Sequence, residues 1–304
     1  MEGSYSEWGN ISSGVVQGSR IGPLLFSLYI QDLSLVLGKS PVQYRLFADD
    51  LKIYTRVSSP TDTSAIQNAI NSISSWAARN NLAIAVHKCA AISSAGPDPS
   101  YHLDGIPIEV VSSFKDLGVT FDRDMKFRTH TANTARSAGQ MCNLILRTFI
   151  VKNPQFYSAL FNSLVTPRIT YCSEIWRPFY AKDEKLIQSV LTRFSSRVAN
   201  RCGIDRGSFP PPAIADIFQS VDDRVIRRLA KQRELEKFFV LLPTSTRSEV
   251  TISPPQLAKN YVVDHGFAWR TARRVTSDPG LRIIVSMYTL SLNTVNPFIA
   301  IKET

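Results

Sequence analysis

VQYRLFADDLKIYTRV, residues 42–57, decides how the rest of the chain is read. Before Phe47 and after Asp50 the residues are aliphatic, aromatic or β-branched with partial alternation, so each arm is expected to be a strand. Ala48-Asp49-Asp50 is then the turn. Two adjacent carboxylates on stiff backbone repel each other unless a cation lies beside them, which makes the hairpin tip a candidate site for Mg²⁺, an ion that prefers oxygen ligands. The plainer alternative is an Asp-rich turn, since Asp favours turns for its own backbone hydrogen bonds.

Just upstream, GVVQGSRIGPLLFSLYIQDL, residues 14–33, places Gln17, Gly18 and Ser19 before Gly22-Pro23. An apolar run follows, with Leu24, Leu25, Leu28, Tyr29 and Leu33 at helical spacing. Pro23 suits the first turn of a helix, which is expected to run to about Leu37 and to be stopped by Gly38 and Pro41. The order of this segment and the acidic hairpin resembles the reverse transcriptases of non-LTR (LINE-type) retrotransposons. Their palm carries G-x-P-Q-G-S-x-x-G-P-x-L-F-x-x-Y-I-x-D-L followed by an F/Y-x-D-D hairpin. The resemblance continues through Trp76, Asn80 and Leu82, through Lys88, and through DLGVTFD from Asp116. It covers roughly residues 10–240 on the motif spacing.

The resemblance implies an RNA-directed DNA polymerase acting on an RNA template, a DNA primer and deoxynucleoside triphosphates, with Mg²⁺ or Mn²⁺ as cofactor. By analogy Asp49 would hold metal and Asp50 would assist. Gln17, Gly18, Ser19, Phe47 and Ala48 would line the template and nucleotide. Lys88 would face the triphosphate, and Gly118 would let the backbone approach the primer strand. Lys88 also fits an ordinary exposed strand lysine beside His87. Val16 and Arg20 depart from the family's pattern, as does Asp116, which stands where an aromatic is common. The family's first metal ligand, an Asp on a strand preceding the glutamine, has no counterpart among the sixteen residues before Gln17. The chain is therefore expected to be a partial polymerase with little or no activity by itself.

Charge is unevenly placed. Residues 1–122 carry eight Lys/Arg against eleven Asp/Glu, and residues 123–304 carry twenty-seven against fourteen, so the whole net surplus of +10 is C-terminal. Such a surplus suits phosphate neutralisation and counterion release, and it suits a merely solubilising surface too. Four scattered cysteines, Cys89, Cys142, Cys172 and Cys202, argue against a zinc site or a disulfide scaffold. No apolar run reaches the length of a membrane span, and no signal segment opens the chain; an intracellular location, nuclear or cytoplasmic, is expected.

Farther along, the helix begun near Ser64 should bury Ile66, Ala69, Ile70, Ile73, Trp76 and Ala77. Residues 82–93 are expected to form a strand beside the acidic hairpin. Asp104-Gly105 marks a second hairpin. Helices are expected near 127–148, 154–166 and 183–201, the last burying Leu186, Ile187, Val190, Leu191, Phe194 and Val198. Arg193 and Arg197 on its margin are candidate contacts to a nucleic-acid backbone, or cover for the apolar face with their stems. Tyr171, Trp176, Phe179 and Tyr180 fit a core better than a base-stacking platform. A basic helix is expected from Asp222 to about Phe239, with its acids at the N-terminal end.

The fold class expected is α+β: a partial polymerase palm, residues 1–122, then a mostly helical thumb or connecting region, 123–240, and a C-terminal extension, 241–304. No carboxylate set in the tail suggests RNase H activity. The second reading of function is a non-catalytic nucleic-acid-binding remnant of a retrotransposon.

Overall fold

The computed structural model describes residues 18–55, 57, 59–93, 98–178, 180–231, 240–243, 250–253 and 296–301. Two compact units divide at Val111/Ser112, and residues 296–301 belong with the first. The mixed helix and sheet content is that of an α+β protein, as expected.

In the first unit Pro23 opens helix α1 (Gly22–Tyr29), and the Ser19 hydroxyl accepts a hydrogen bond from the Gly22 amide at 3.0 Å. The single helix expected to reach Leu37 is in fact two, because α2 (Leu33–Leu37) starts after a break at residues 30–32. Ile30, Leu33 and Leu37 are buried on either side of that break. Strands β1 (Gln43–Phe47) and β2 (Asp50–Thr55) pair antiparallel with Phe47 opposite Asp50, leaving Ala48 and Asp49 as the two-residue turn. Leu51 and Ile53 of β2 face the core, as alternation requires.

Helix α3 (Pro60–Arg79) starts earlier than expected, because Ser59 and Asp62 form a capping box in which the Ser59 amide donates to the Asp62 carboxylate at 2.8 Å. It buries the six residues expected of it. The Trp76 indole donates to the Asp32 carboxylate at 2.9 Å, and the Tyr29 hydroxyl donates to the Asn80 carbonyl. The break between α1 and α2 is thus tied to the end of α3.

Residues 82–93 do not form one strand. A 3₁₀ turn at Val86–Lys88 precedes a short β3 (Ala90–Ile92). The turn buries both Ala85 and Cys89 while His87 and Lys88 stay exposed; strict alternation would have put His87 on the same side as Ala85 and Cys89. Strands β4 (His102–Leu103) and β5 (Ile106–Pro107) form a hairpin, followed by β6 (Glu109–Val110). Both turn residues, Asp104 (φ 52°) and Gly105 (φ 80°), are left-handed, as a type I′ turn demands.

In the second unit β7 (Ser113–Asp116) and β8 (Val119–Asp122) form another two-residue hairpin. Helix α4 (Arg128–Thr148) follows, then α5 (Pro154–Leu160), a π-helical turn at Phe161–Val165, α6 (Thr166–Thr170) and α7 (Ser173–Trp176). Helix α8 (Ala181–Cys202) packs along α4, with Ala135, Ala138, Cys142 and Ile145 in one core with Ile187, Val190, Leu191 and Phe194. Leu186, expected in that core, is exposed instead: it lies just outside the arc set by Ile187, Val190 and Phe194.

Helix α9 (Ile214–Lys231) begins well before Asp222. Asp222 is therefore a mid-helix residue and not an N-terminal dipole partner. It is buried and paired with Arg177 at 3.3 Å. The basic residues expected to continue the helix past Lys231, and the stretch 269–274, lie outside the described residues. Strands β9 (Val240–Pro243) and β10 (Val250–Ser253) pair antiparallel.

Strand β11 (Asn296–Ile301) completes the sheet of the first unit, whose order is β1-β2-β11-β3-β6. It pairs antiparallel with both β2 and β3, so the neighbour of the acidic hairpin is β11 where residues 82–93 were expected.

Candidate polymerase site and nucleic-acid surface

The hairpin tip gathers Phe47, Ala48, Asp49 and Asp50. Phe47 is 62% exposed. Ala48 takes a left-handed φ of 50°, a conformation that favours glycine. Asp49 is exposed in the turn and borders a cavity of about 30 Å³ lined by Phe26, Ile30, Leu46, Trp76 and Ile84. Asp50 is the first residue of β2 and only 9% exposed. The two carboxylates therefore differ sharply in access, although they are neighbours in sequence.

Asp49 and Asp50 fit a divalent cation in part: the oxygen donors are of the right kind, with one carboxylate open to solvent. Among the described residues no group of three or more His, Cys, Asp or Glu side chains is gathered that could complete a coordination set. Gly18 precedes α1 with φ 81° and is exposed, and Ser19 caps the first turn of α1. Gln17 lies outside the described residues. Lys88 ends the 3₁₀ turn with an exposed side chain.

In the second unit Gly118 has φ 88°, and a Cβ placed there would meet the Tyr171 ring at 3.0 Å. The Tyr171 hydroxyl donates to the Leu117 carbonyl at 2.7 Å. The close approach that Gly118 permits in this structure is therefore that of a side chain of the same unit. Trp176 is fully buried, as expected of a core aromatic, with its indole donating to the Tyr171 carbonyl at 2.6 Å. Phe179 lies outside the described residues.

Arg193 and Arg197 are brought together in a groove of about 350 Å³ between α4 and α8, joined there by Arg206. Arg197 also donates to the Asn143 side-chain carbonyl at 2.6 Å. Sequence reasoning missed Arg206, and it read Tyr180 as a core aromatic, whereas its ring is half-buried and faces Lys126, Arg128 and Lys182 at 5.3–5.5 Å. A signal was present: no Asp or Glu occurs between Asp124 and Glu174, or between Glu184 and Asp205. No helix among the described residues is long and apolar enough to cross a membrane.

Residues 1–121 match the family model described as reverse transcriptase (RNA-dependent DNA polymerase), and over that stretch the chain is similar to the reverse transcriptases.

Relatives among the curated proteins include polymerases of mobile elements. The chain is 31% identical over 142 residues to the RNA-directed DNA polymerase from mobile element jockey of Drosophila melanogaster, a stretch that covers 44% of this chain and 16% of that protein. The jockey counterpart of Drosophila funebris is 30% identical over 136 residues, 42% of this chain and 15% of that one. The probable RNA-directed DNA polymerase from transposon X-element of Drosophila melanogaster is 28% identical over 195 residues, 60% of this chain and 21% of that protein. The chain thus spans only about a fifth or less of these three relatives. No solved structure matches it.

Proposed function

We propose that the chain is part of an RNA-directed DNA polymerase that adds deoxynucleotides to a primer 3′-hydroxyl on an RNA template. The observation that carries this reading is the exposed Asp49 at a two-residue turn within the segment matched by the reverse-transcriptase family. In the reaction the primer 3′-oxygen attacks the α-phosphorus and loses its proton, a new P–O bond forms, and the α–β bond breaks with pyrophosphate leaving.

Asp49, with Asp50 assisting, would hold Mg²⁺ or Mn²⁺, whose charge makes the hydroxyl more acidic and offsets charge on the phosphate. Gln17, Gly18, Ser19, Phe47 and Ala48 would line the template and the incoming nucleotide. Lys88 would neutralise or protonate the departing pyrophosphate. Gly118, Arg193 and Arg197 would contact the nucleic acid. Because Asp49 and Asp50 lack a third carboxylate among the described residues, a further one from elsewhere is needed for two metals. Such chemistry places the protein inside the cell, in nucleus or cytoplasm.

Primer extension on an RNA template with Mg²⁺ tests this, comparing the chain alone with the chain supplemented by a reverse-transcriptase fragment that carries a further Asp strand. Extension only on complementation, abolished by Asp49→Ala, is the expected result. Robust extension by the chain alone would overturn the inactivity, and none under either condition would overturn the polymerase reading. A non-catalytic nucleic-acid-binding role is the second reading, favoured by the acid-free stretches 125–173 and 185–204. It requires salt-sensitive binding that survives Asp49→Ala and Asp50→Ala.

A further inference from the structure

The cations of the second unit have an order that the site residues above do not capture. Tyr180 precedes the first residue of α8, and three cations surround its ring: Lys126 Nζ at 5.5 Å, Arg128 Cζ at 5.3 Å and Lys182 Nζ at 5.5 Å from the centroid. The Asp124 carboxylate pairs with Arg128 at 2.8 Å and Lys126 at 3.9 Å. Three like charges held about one ring repel one another, and a multiply charged oxyanion would relieve that repulsion. The ring itself is engaged by cations, so what the cluster offers a ligand is positive charge, not a bare stacking face.

From Lys182 one line of α8 continues through the exposed Ser189 and Arg193, the half-buried Ser196 and the exposed Asn200, a step of seven residues followed by steps of four, three and four. Past Glu184 this helix holds no carboxylate. Its exposed polar groups past that point are cations, hydroxyls and amides, all of which can donate to phosphate oxygens. At the far end Arg193 and Arg197 rim the groove against α4, with Arg206, Asn143 and Asn200 beside them.

Taking the nucleic-acid partner from the function proposed above, we propose that this face of α8 is a rail for a single nucleic-acid strand. Phosphates sit first at the Lys126–Arg128–Lys182 cluster around Tyr180 and last at Arg193, Arg197 and Arg206. The rail reads charge and spacing, not bases. At 1.5 Å per residue Lys182 and Arg197 are about 22 Å apart along the axis. A stacked strand rises about 3.4 Å per nucleotide along its axis, so the rail spans roughly six to seven nucleotides of such a strand.

Fluorescence anisotropy of the full chain with labelled oligoadenylates, which stack, of about four, eight and twelve nucleotides tests the rail. Affinity should rise steeply from the shortest to the middle length and then level off, apart from the statistical gain of a longer lattice. Lys182→Gln, at an exposed position, should weaken binding of the middle length about fivefold at about 0.1 M salt and reduce the slope of log affinity against log salt by about 0.7. A Lys126→Gln, Arg128→Gln, Lys182→Gln triple variant should lose about 25-fold or more, and Arg193→Gln with Arg197→Gln should lose about as much.

Equal affinity for the shortest and middle lengths would overturn the proposal. So would Lys182→Gln and the folded triple variant keeping the wild-type salt slope. Lys182→Gln decides alone if the triple variant fails to fold. No binding by the wild-type chain at low salt would overturn the rail too. The polymerase reading is judged separately, by complemented extension and its loss in Asp49→Ala, so the failure of either is distinguishable from that of the other.

Discussion

Lowering the pH from 7 to about 4.5 should weaken the second unit through one residue, His130. The side chain is buried in α4, with its ring edge-on to Trp176 at 4.6 Å between centroids. The Thr120 amide donates to Nδ1 at 3.1 Å, so Nδ1 carries no proton and Nε2–H is left to face the Thr134 hydroxyl at 3.4 Å. Desolvation lowers the imidazole pKa to about 4; Asp122 opposes that shift and Lys115 adds to it. The unfolded chain takes up this proton near the ordinary value of about 6.5. Between these two values the unfolded state binds the extra proton and the folded state does not, so stability falls as pH falls through the window. Below about 4 both states are protonated and the loss stops. At one proton and about 1.4 kcal/mol per pH unit, the penalty at pH 4.5 is about 2 kcal/mol. Urea melts of the wild type and of His130→Gln, compared from pH 7 to 4.5, isolate this term from carboxylate titration common to both. The variant should lose about 2 kcal/mol less than the wild type over that range. Equal losses in the two proteins would refute the reasoning.

Three further substitutions test the packing. Gly118→Ala must hold a left-handed φ and push on the Tyr171 ring, and should cost about 1–3 kcal/mol in urea melts. Ala48→Gly relieves a left-handed alanine at the tip of the acidic hairpin and should stabilise the chain by up to about 1 kcal/mol in the same assay. Asp222→Ala leaves the Arg177 guanidinium, which lies over the Phe218 ring at 5.4 Å, without its carboxylate at 3.3 Å; a loss of about 2–4 kcal/mol is expected in thermal or urea unfolding.

What could be read in advance followed period and turn chemistry. The stripe of Ile66, Ala69, Ile70, Ile73, Trp76 and Ala77 was legible because an amphipathic helix repeats its burial every 3.6 residues. Asp104-Gly105 was legible because two left-handed residues in a row leave few alternatives. The break after Tyr29 was not, since it depends on tethers from Asp32 and Tyr29 to residues more than forty positions away. Position 222 misled because two adjacent acids before a basic run look like a helix start, whereas Arg177 holds one of them in mid-helix. The pairing of β11 with β2 and β3 joins strands about two hundred residues or more apart, which no local pattern encodes. At the candidate site the Asp-Asp pair stood out in the sequence, but the difference in access between Asp49 and Asp50 did not, because it depends on which residue of the turn begins β2.

The motifs that carry the family likeness do more structural than chemical work in this chain. Tyr29 and Asp32, from the segment before the acidic hairpin, bind Asn80 and Trp76, from the segment after it. Ser19 caps α1, and the Leu82 amide donates to the Ala77 carbonyl at 2.9 Å to close α3. These contacts lock α1, α2 and α3 together, with Trp76, Phe26 and Ile30 lining the cavity that Asp49 borders. Residues so engaged are selected by packing whether or not a reaction occurs, so their presence supports the fold more strongly than it supports catalysis. The proposed chemistry would rest on fewer groups: Asp49, Asp50 and a carboxylate from elsewhere. A chain that kept every motif contact but lost Asp49 would keep this fold and the α8 surface while polymerisation failed, which is why complemented extension and strand binding must be measured separately.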